Sequence, residues 1–105
     1  MDNEIETGSG NVYADLGFSD AEEMLIKAEL ALAITTIIKT RSLTQAEAAK
    51  ILGITQPKLS NLMRGQFRGI SEAKMMSCLT RLGRDVEIVV SKPRQSPGSL
   101  RVVLA

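Results

Sequence analysis

Residues 43–65 read LTQAEAAKILGITQPKLSNLMRG, and this stretch decides the fold. Thr44 precedes Glu47 by three residues, which is the spacing of a capping box at the start of a helix. Gly53 stands where that helix should end, and Thr55 can cap a second short helix directly after it. The stretch therefore predicts two short helices joined by a tight turn, the layout of a helix-turn-helix.

The second helix of this motif carries polar side chains on its predicted exposed side. A short amphipathic helix with glutamine, asparagine and lysine on its polar face fits the major groove of DNA and can hydrogen-bond base edges there. We therefore expect double-stranded DNA as the binding partner. The polar residues are Gln56, Lys58, Ser60 and Asn61.

The flanking sequence predicts further helices. Apolar residues recur at helical spacing from about residue 20 to residue 40, and Ser19 with Glu22 forms a second capping box at the start of this run. Ser71 can cap another helix, which should reach about Leu82. The predicted fold class is mainly α, a four- to five-helix bundle that contains the helix-turn-helix.

The helical spacing also predicts which side chains form the core of this bundle. In the first long helix the inward-facing residues should be Met24, Leu25, Ala28, Ala31, Leu32, Ile34, Ile37 and Ile38. In the two motif helices they should be Ala46, Ala49, Leu52, Leu59, Leu62 and Met63, and in the last helix Met75, Cys78, Leu79 and Leu82.

In the last part of the chain the sequence pattern changes from helical to strand-like. Val86–Val90 and Leu100–Leu104 are β-branched runs typical of strands, and residues 91–99 between them are rich in Pro, Arg, Gly and Ser. We expect a short C-terminal β-strand pair here. Because an isolated hairpin is barely stable in water, these strands would need the helical body or a second subunit as a partner. A homodimer joined in this way would present two motif helices to a palindromic DNA site.

The charges are unevenly distributed along the chain. Although the net charge is +1, residues 1–29 hold eight acidic residues and one lysine, whereas residues 30–105 hold twelve basic and four acidic residues. A basic body suits a polyanion such as DNA, but the pattern also fits the solvated surface of an ordinary globular protein. The predicted organisation is a flexible acidic segment (1–18), a helical DNA-binding domain (19–83) and a strand tail that is a candidate dimerisation element (84–105).

Composition argues against several classes of function. Without histidine a Ser-His nucleophilic mechanism is impossible, and the sequence has no Gly-rich phosphate loop, so we expect neither an enzyme nor a cofactor or metal site. The single cysteine, Cys78, cannot form an internal disulfide, which suits a reducing cytoplasm, and its apolar helical setting predicts a buried thiol. The sequence has no apolar run long enough to span a membrane.

The motif resembles the Xre family, the helix-turn-helix class of phage repressors and Cro proteins. The matching features are Thr44-Gln45, Ala49, Leu52-Gly53-Ile54, Gln56, Leu59-Ser60 and Gly65. They cover about a fifth of the chain of 105 residues.

The resemblance implies roles for the positions that match. Gln56 should reach an adenine edge, and Gln45 a phosphate or a nearby base. Asn61 should face the groove, Lys58 should contact phosphate or guanine, and Thr55 should bond to phosphate.

Four further positions complete the implied interface. Pro57 stands where many relatives carry a hydrogen-bonding residue, so it offers only an apolar surface, suited to a thymine methyl group. Ser60 would bond to phosphate. Arg64 and Arg68 would hold the DNA backbone beyond the groove.

The chain also looks like a smaller subgroup of Xre-like proteins related to HigA-type antitoxins, through features inside and outside the motif. The features are the long acidic first helix, the run Gln56-Pro57-Lys58-Leu59-Ser60 and the ending from Leu82 to Val90. The leading hypothesis is a sequence-specific transcriptional regulator that binds the major groove as a dimer and represses its own gene. The alternative is an antitoxin that binds and neutralises a small RelE- or HigB-like ribonuclease toxin.

Overall fold

The computed structural model describes residues 21–105, and in this part of the chain it contains four α-helices. These are α1 (Ala21–Thr40), α2 (Gln45–Leu52), α3 (Gln56–Met63) and α4 (Glu72–Arg81). Helix α1 packs mainly against α4, and α2 and α3 pack against each other. In addition, α3 contacts α1 and α2 contacts α4. The prediction of a mainly α fold is confirmed. The capping box at Ser19 and the acidic segment 1–18 lie outside the described residues.

Helix α1, with 20 residues, is the longest of the four helices among residues 21–105. Acidic Glu22 and Glu23 in its first turn and Lys39 in its last turn complement the helix dipole. Its apolar residues occur on most of its circumference, and Ile34 and Ile38 are almost completely buried. None of the helices among residues 21–105 combines the length and hydropathy needed to cross a bilayer.

The two motif helices begin as the sequence predicts. The Thr44 hydroxyl accepts from the Glu47 N–H at 3.0 Å, and the Thr44 N–H donates to Glu47 Oε1 at 2.8 Å, which completes the capping box. These two hydrogen bonds favour the carboxylate and hold the pKa of Glu47 below its ordinary value. Thr55 caps α3 by accepting from the Lys58 N–H at 3.3 Å.

The turn between α2 and α3 depends on Gly53. This residue has a φ of +70°, a left-handed conformation that side chains rarely adopt, and its N–H donates to the Ala49 carbonyl. A Cβ atom at this position would lie 3.0 Å from Nη1 of Arg81, which itself donates to the Ile51 carbonyl at 3.4 Å. The backbone conformation therefore favours glycine here, whereas the flexible end of the Arg81 side chain could move by a few tenths of an ångström to admit a Cβ atom.

One core contains residues from all four helices. Leu52, Leu59 and Met75 have no exposed surface, and the Cys78 thiol is buried as predicted. Burial raises the pKa of Cys78 above its ordinary value, against a smaller opposite effect of Lys74 and Arg81. The buried apolar residues are Ala21, Met24, Ile26, Leu30, Ala31, Ala33, Ile34, Ile37, Ile38, Ala48, Ala49, Leu52, Leu59, Leu62, Phe67, Ile70, Met75, Cys78, Leu79 and Leu82.

The predicted C-terminal β-strand pair is wrong. Residues 84–105 contain no strand, and neither does any other segment of the part that the structure describes. Ile88, Val89 and Val90 are 80–89% exposed, and the tail returns to the bundle at Val102, which packs partly on the core and donates its N–H to Glu29 Oε1 at 3.4 Å. β-branched side chains favour extended backbone, but a strand also needs a partner for its N–H and C=O groups.

Candidate nucleic-acid interface

Helix α3 has one face in the core and one face in solvent. Leu59 and Leu62 are buried almost completely, which fixes the helix on the bundle. Gln56, Pro57 and Lys58 in its first turn are all exposed. The first turn is thus anchored by the Thr55 cap and open to a ligand. Pro57 is tolerated there because the N–H groups of a first turn have no partner within the helix.

The second half of α3 holds a small network of polar side chains. Arg64, the residue that ends the helix, donates from Nη1 to Ser60 Oγ at 3.0 Å and from Nη2 to Asn61 Oδ1 at 2.6 Å. Ser60 and Asn61 are half-buried, whereas Arg64 is exposed. Three of the predicted site residues therefore form one hydrogen-bonded group on the surface of the helix.

Two open depressions flank α3, with volumes of about 380 and 320 Å³. Lys58 lines both of them. Lys74 from α4 lines the first, and Asn61 lines the second. Lys58 therefore borders both depressions beside the helix.

The loop after α3 is tied to the long helix by a buried lysine. Lys27 of α1 is only 4% exposed, and its Nζ donates to the Arg68 carbonyl at 2.9 Å and pairs with Glu23 Oε2 at 3.1 Å. Phe67 and Ile70 on either side of Arg68 are buried. This loop is thus fixed at three points, which holds the end of α3 in place.

Comparison with known proteins identifies the family. A family described as "Helix-turn-helix domain" matches residues 12–91, which is most of the chain. A solved structure described as "Putative XRE Family Transcriptional Regulator" is 41% identical, with a TM-score of 0.72. The match covers 82% of this chain and 97% of that one. This chain belongs to the XRE helix-turn-helix family. The comparison with curated protein sequences gives no match.

The family identifies α2 and α3 as the two helices of the helix-turn-helix. The second helix of this motif, here α3, is by convention called the recognition helix. The structure brings Gln56, Pro57 and Lys58 to the exposed start of the recognition helix. Gln45 is the exposed first residue of α2. Thr55 is exposed as well, with its hydroxyl in use as the cap. Contacts of these residues with DNA remain predictions.

Two features around the helix-turn-helix were not predicted from the sequence. The burial of Lys27 was not predicted, although a lysine between apolar residues at helical spacing can indicate a buried amine. The two bonds of Arg64 were also missed, although spacings of three and four residues place side chains next to each other on a helix.

Proposed function

We propose that this XRE-family protein is a sequence-specific DNA-binding transcriptional regulator that inserts α3 into the major groove. The observation that carries the proposal is the exposed polar surface of α3 on a helix whose opposite side is fixed by Leu59 and Leu62. The 41% identical structure described as a putative XRE-family transcriptional regulator supports it. The basic residues of segment 30–105, twelve against four acidic, suit a polyanionic ligand.

The exposed residues at the starts of α2 and α3 each have a role in this proposal. Gln56 pairs with an adenine edge, because its amide offers one donor and one acceptor. Pro57 lies against a thymine methyl group. Lys58, Thr55 and Gln45 contact the phosphates that fix the position of the helix in the groove. No cofactor takes part, and the protein acts on DNA in the cytoplasm.

Selection from a library of random duplexes tests this function. The purified wild-type chain and Gln56→Ala are each taken through repeated rounds of binding, and the recovered duplexes are sequenced. We expect the wild-type chain to enrich one sequence pattern. If repeated selection enriches no pattern at all, the protein does not read sequence and the proposal is wrong.

Lys58→Ala is expected to weaken binding to specific and unrelated duplexes by a similar factor. A phosphate contact releases counterions from DNA, so its loss should lower the slope of log K against log salt by about 0.9. Binding measured over a series of salt concentrations gives this slope. Lys39→Ala, which removes the same charge from the exposed last turn of α1, should leave the slope closer to that of the wild-type chain. Equal slopes for Lys58→Ala and the wild-type chain would exclude the phosphate contact.

We further propose that the regulator acts as a homodimer. The C-terminal segment exposes a series of apolar side chains that the helical bundle does not cover: Ile88, Val89, Val90, Leu100, Val103 and Leu104. Removing this apolar surface from water by contact with a second copy would stabilise a dimer. Two recognition helices related by two-fold symmetry would then meet two half-sites on one DNA duplex.

Deleting residues 86–105 is expected to leave a folded monomer. The deletion keeps the end of α4, where the Gly83 and Arg84 N–H groups donate to the Thr80 and Leu79 carbonyls. Sedimentation equilibrium measures the mass, and circular dichroism checks the helix content. A full-length chain with Ile88, Val89 and Val90 all replaced by serine controls for the shortened length. If both proteins stay dimeric, the dimer does not use this segment.

A second candidate function is the neutralisation of a small basic ribonuclease toxin of the RelE or HigB kind. The charge of residues 1–29, eight acidic against one basic, favours such a partner, and Glu22 and Glu23 are exposed at the start of α1. Expression together with the neighbouring gene tests this function. Co-purification of a small basic protein that is lost with Glu22→Gln, a substitution that leaves the Lys27–Glu23 pair intact, would support it, and a chain that purifies alone would count against it.

A further inference from the structure

Arg64 holds two other polar side chains on the surface of α3. Its guanidinium group is a planar fork of N–H donors, and here two arms of the fork hold Ser60 Oγ at 3.0 Å and Asn61 Oδ1 at 2.6 Å. Both partners precede it by about one helical turn, where side chains are neighbours. A lysine at this position has a single ammonium group and cannot make the same flat, two-armed contact.

The contact fixes the orientation of the Asn61 amide. A guanidinium group only donates hydrogen bonds, so the carbonyl oxygen of the amide must face it. The NH₂ group of Asn61 is then directed away from Arg64. The Ser60 oxygen also accepts from Arg64, which leaves its own hydroxyl hydrogen to be donated elsewhere.

These three side chains together present donors and a positive charge. The major-groove edge of guanine carries two acceptors, O6 and N7, whereas adenine carries one acceptor and an amino donor. A guanidinium group beside Asn61 favours the acceptor-rich edge and opposes an amino group. We infer that Arg64 is a specificity-determining residue, which positions Asn61 to select guanine over adenine at one base pair of the DNA site. This inference rests on the proposed function.

Selection from random duplexes with the full-length chain tests the inference through base preference. The wild-type chain should enrich guanine at one position, and Asn61→Ala should abolish that preference. Arg64→Met removes the charge and both bonds, and should lower the preference for guanine over adenine there by roughly tenfold. Arg64→Lys keeps the charge but lacks the fork, and should also lose the preference. Arg94→Met, the same substitution in the exposed tail, should keep it.

The outcomes separate this inference from the function on which it rests. If the wild-type chain enriches no pattern, the proposed function fails and the inference fails with it. If the wild-type chain enriches a pattern and either Arg64 variant keeps the full guanine preference, the function stands and the role of Arg64 is wrong. If Asn61→Ala keeps the guanine preference, the function likewise stands and the inference is wrong. Circular dichroism of each variant checks that the helix content of the chain is unchanged.

Discussion

Replacing Leu59 with alanine should lower the free energy of unfolding by about 2–5 kcal/mol. Leu59 lies on the recognition helix, and its side chain has no exposed surface. The substitution removes buried methyl groups and leaves a cavity between α3 and the rest of the core, and both effects destabilise the folded state. For a domain whose total stability is on the order of 5–15 kcal/mol, this loss is a large share. Urea unfolding followed by circular dichroism measures it.

Leu32→Ala is the matched control for this experiment. It makes the same change on α1, at a side chain that is 65% exposed, so the free energy of unfolding should change by no more than about 0.5 kcal/mol. If Leu59→Ala were as mild as Leu32→Ala, the recognition helix would not be held by the core as described. The two substitutions together therefore test how α3 is fixed in place.

Gln56→Ala should weaken binding to the selected DNA site by about 1–3 kcal/mol and relax the base preference at one position. Gln56 is exposed in the first turn of α3, and its amide is the group that we expect to pair with adenine. Binding to unrelated DNA should change little, because that binding depends on phosphate contacts. Fluorescence anisotropy with the selected duplex, and with duplexes changed at single base pairs, measures both effects.

Gln95→Ala is the control for Gln56→Ala, since it removes a glutamine amide from the exposed C-terminal tail. It should leave both the affinity and the base preference unchanged. A Gln56→Ala protein that binds every duplex as tightly as the wild-type chain would mean that Gln56 does not contact a base. Readout would then have to come from other residues.

The helices could be predicted from sequence because their ends carry local signals. Thr44, Thr55 and Ser71 each accept a backbone hydrogen bond at a helix start, as their spacing from the following residues indicated. Gly53 ends α2 in the left-handed conformation that glycine favours. These features depend on a few neighbouring residues, so no knowledge of the tertiary structure was needed.

Features that depend on distant contacts were harder to predict. The tail has strand-like composition, but nothing in the local pattern shows whether a pairing partner exists. Ala46 was expected to face inward and is exposed, with Ala48 buried in its place, because three alanines in four positions give a weak helical pattern. On α1, Leu32 was assigned to the core and Lys27 was not, since apolar residues surround most of that helix.

In the candidate site, too, the features set by local sequence could be predicted and those set by side-chain contacts could not. The exposure of Gln56, Pro57 and Lys58 follows from the helical period once Leu59 and Leu62 are placed in the core. The bonds from Arg64 to Ser60 and Asn61 depend on side-chain rotamers, which the period does not specify. The tie between Lys27 and the Arg68 carbonyl joins residues 41 positions apart, so only the folded chain reveals it.

The most direct test of the central claim is binding of the purified protein to the DNA just upstream of its own gene, measured by fluorescence anisotropy over a salt series with scrambled DNA alongside. A sequence-specific autorepressor should bind the upstream DNA about a thousandfold or more tightly than the scramble at physiological salt. Equal binding to both, with the same steep salt dependence, would contradict the claim, because it would leave only a basic surface attracted to phosphate.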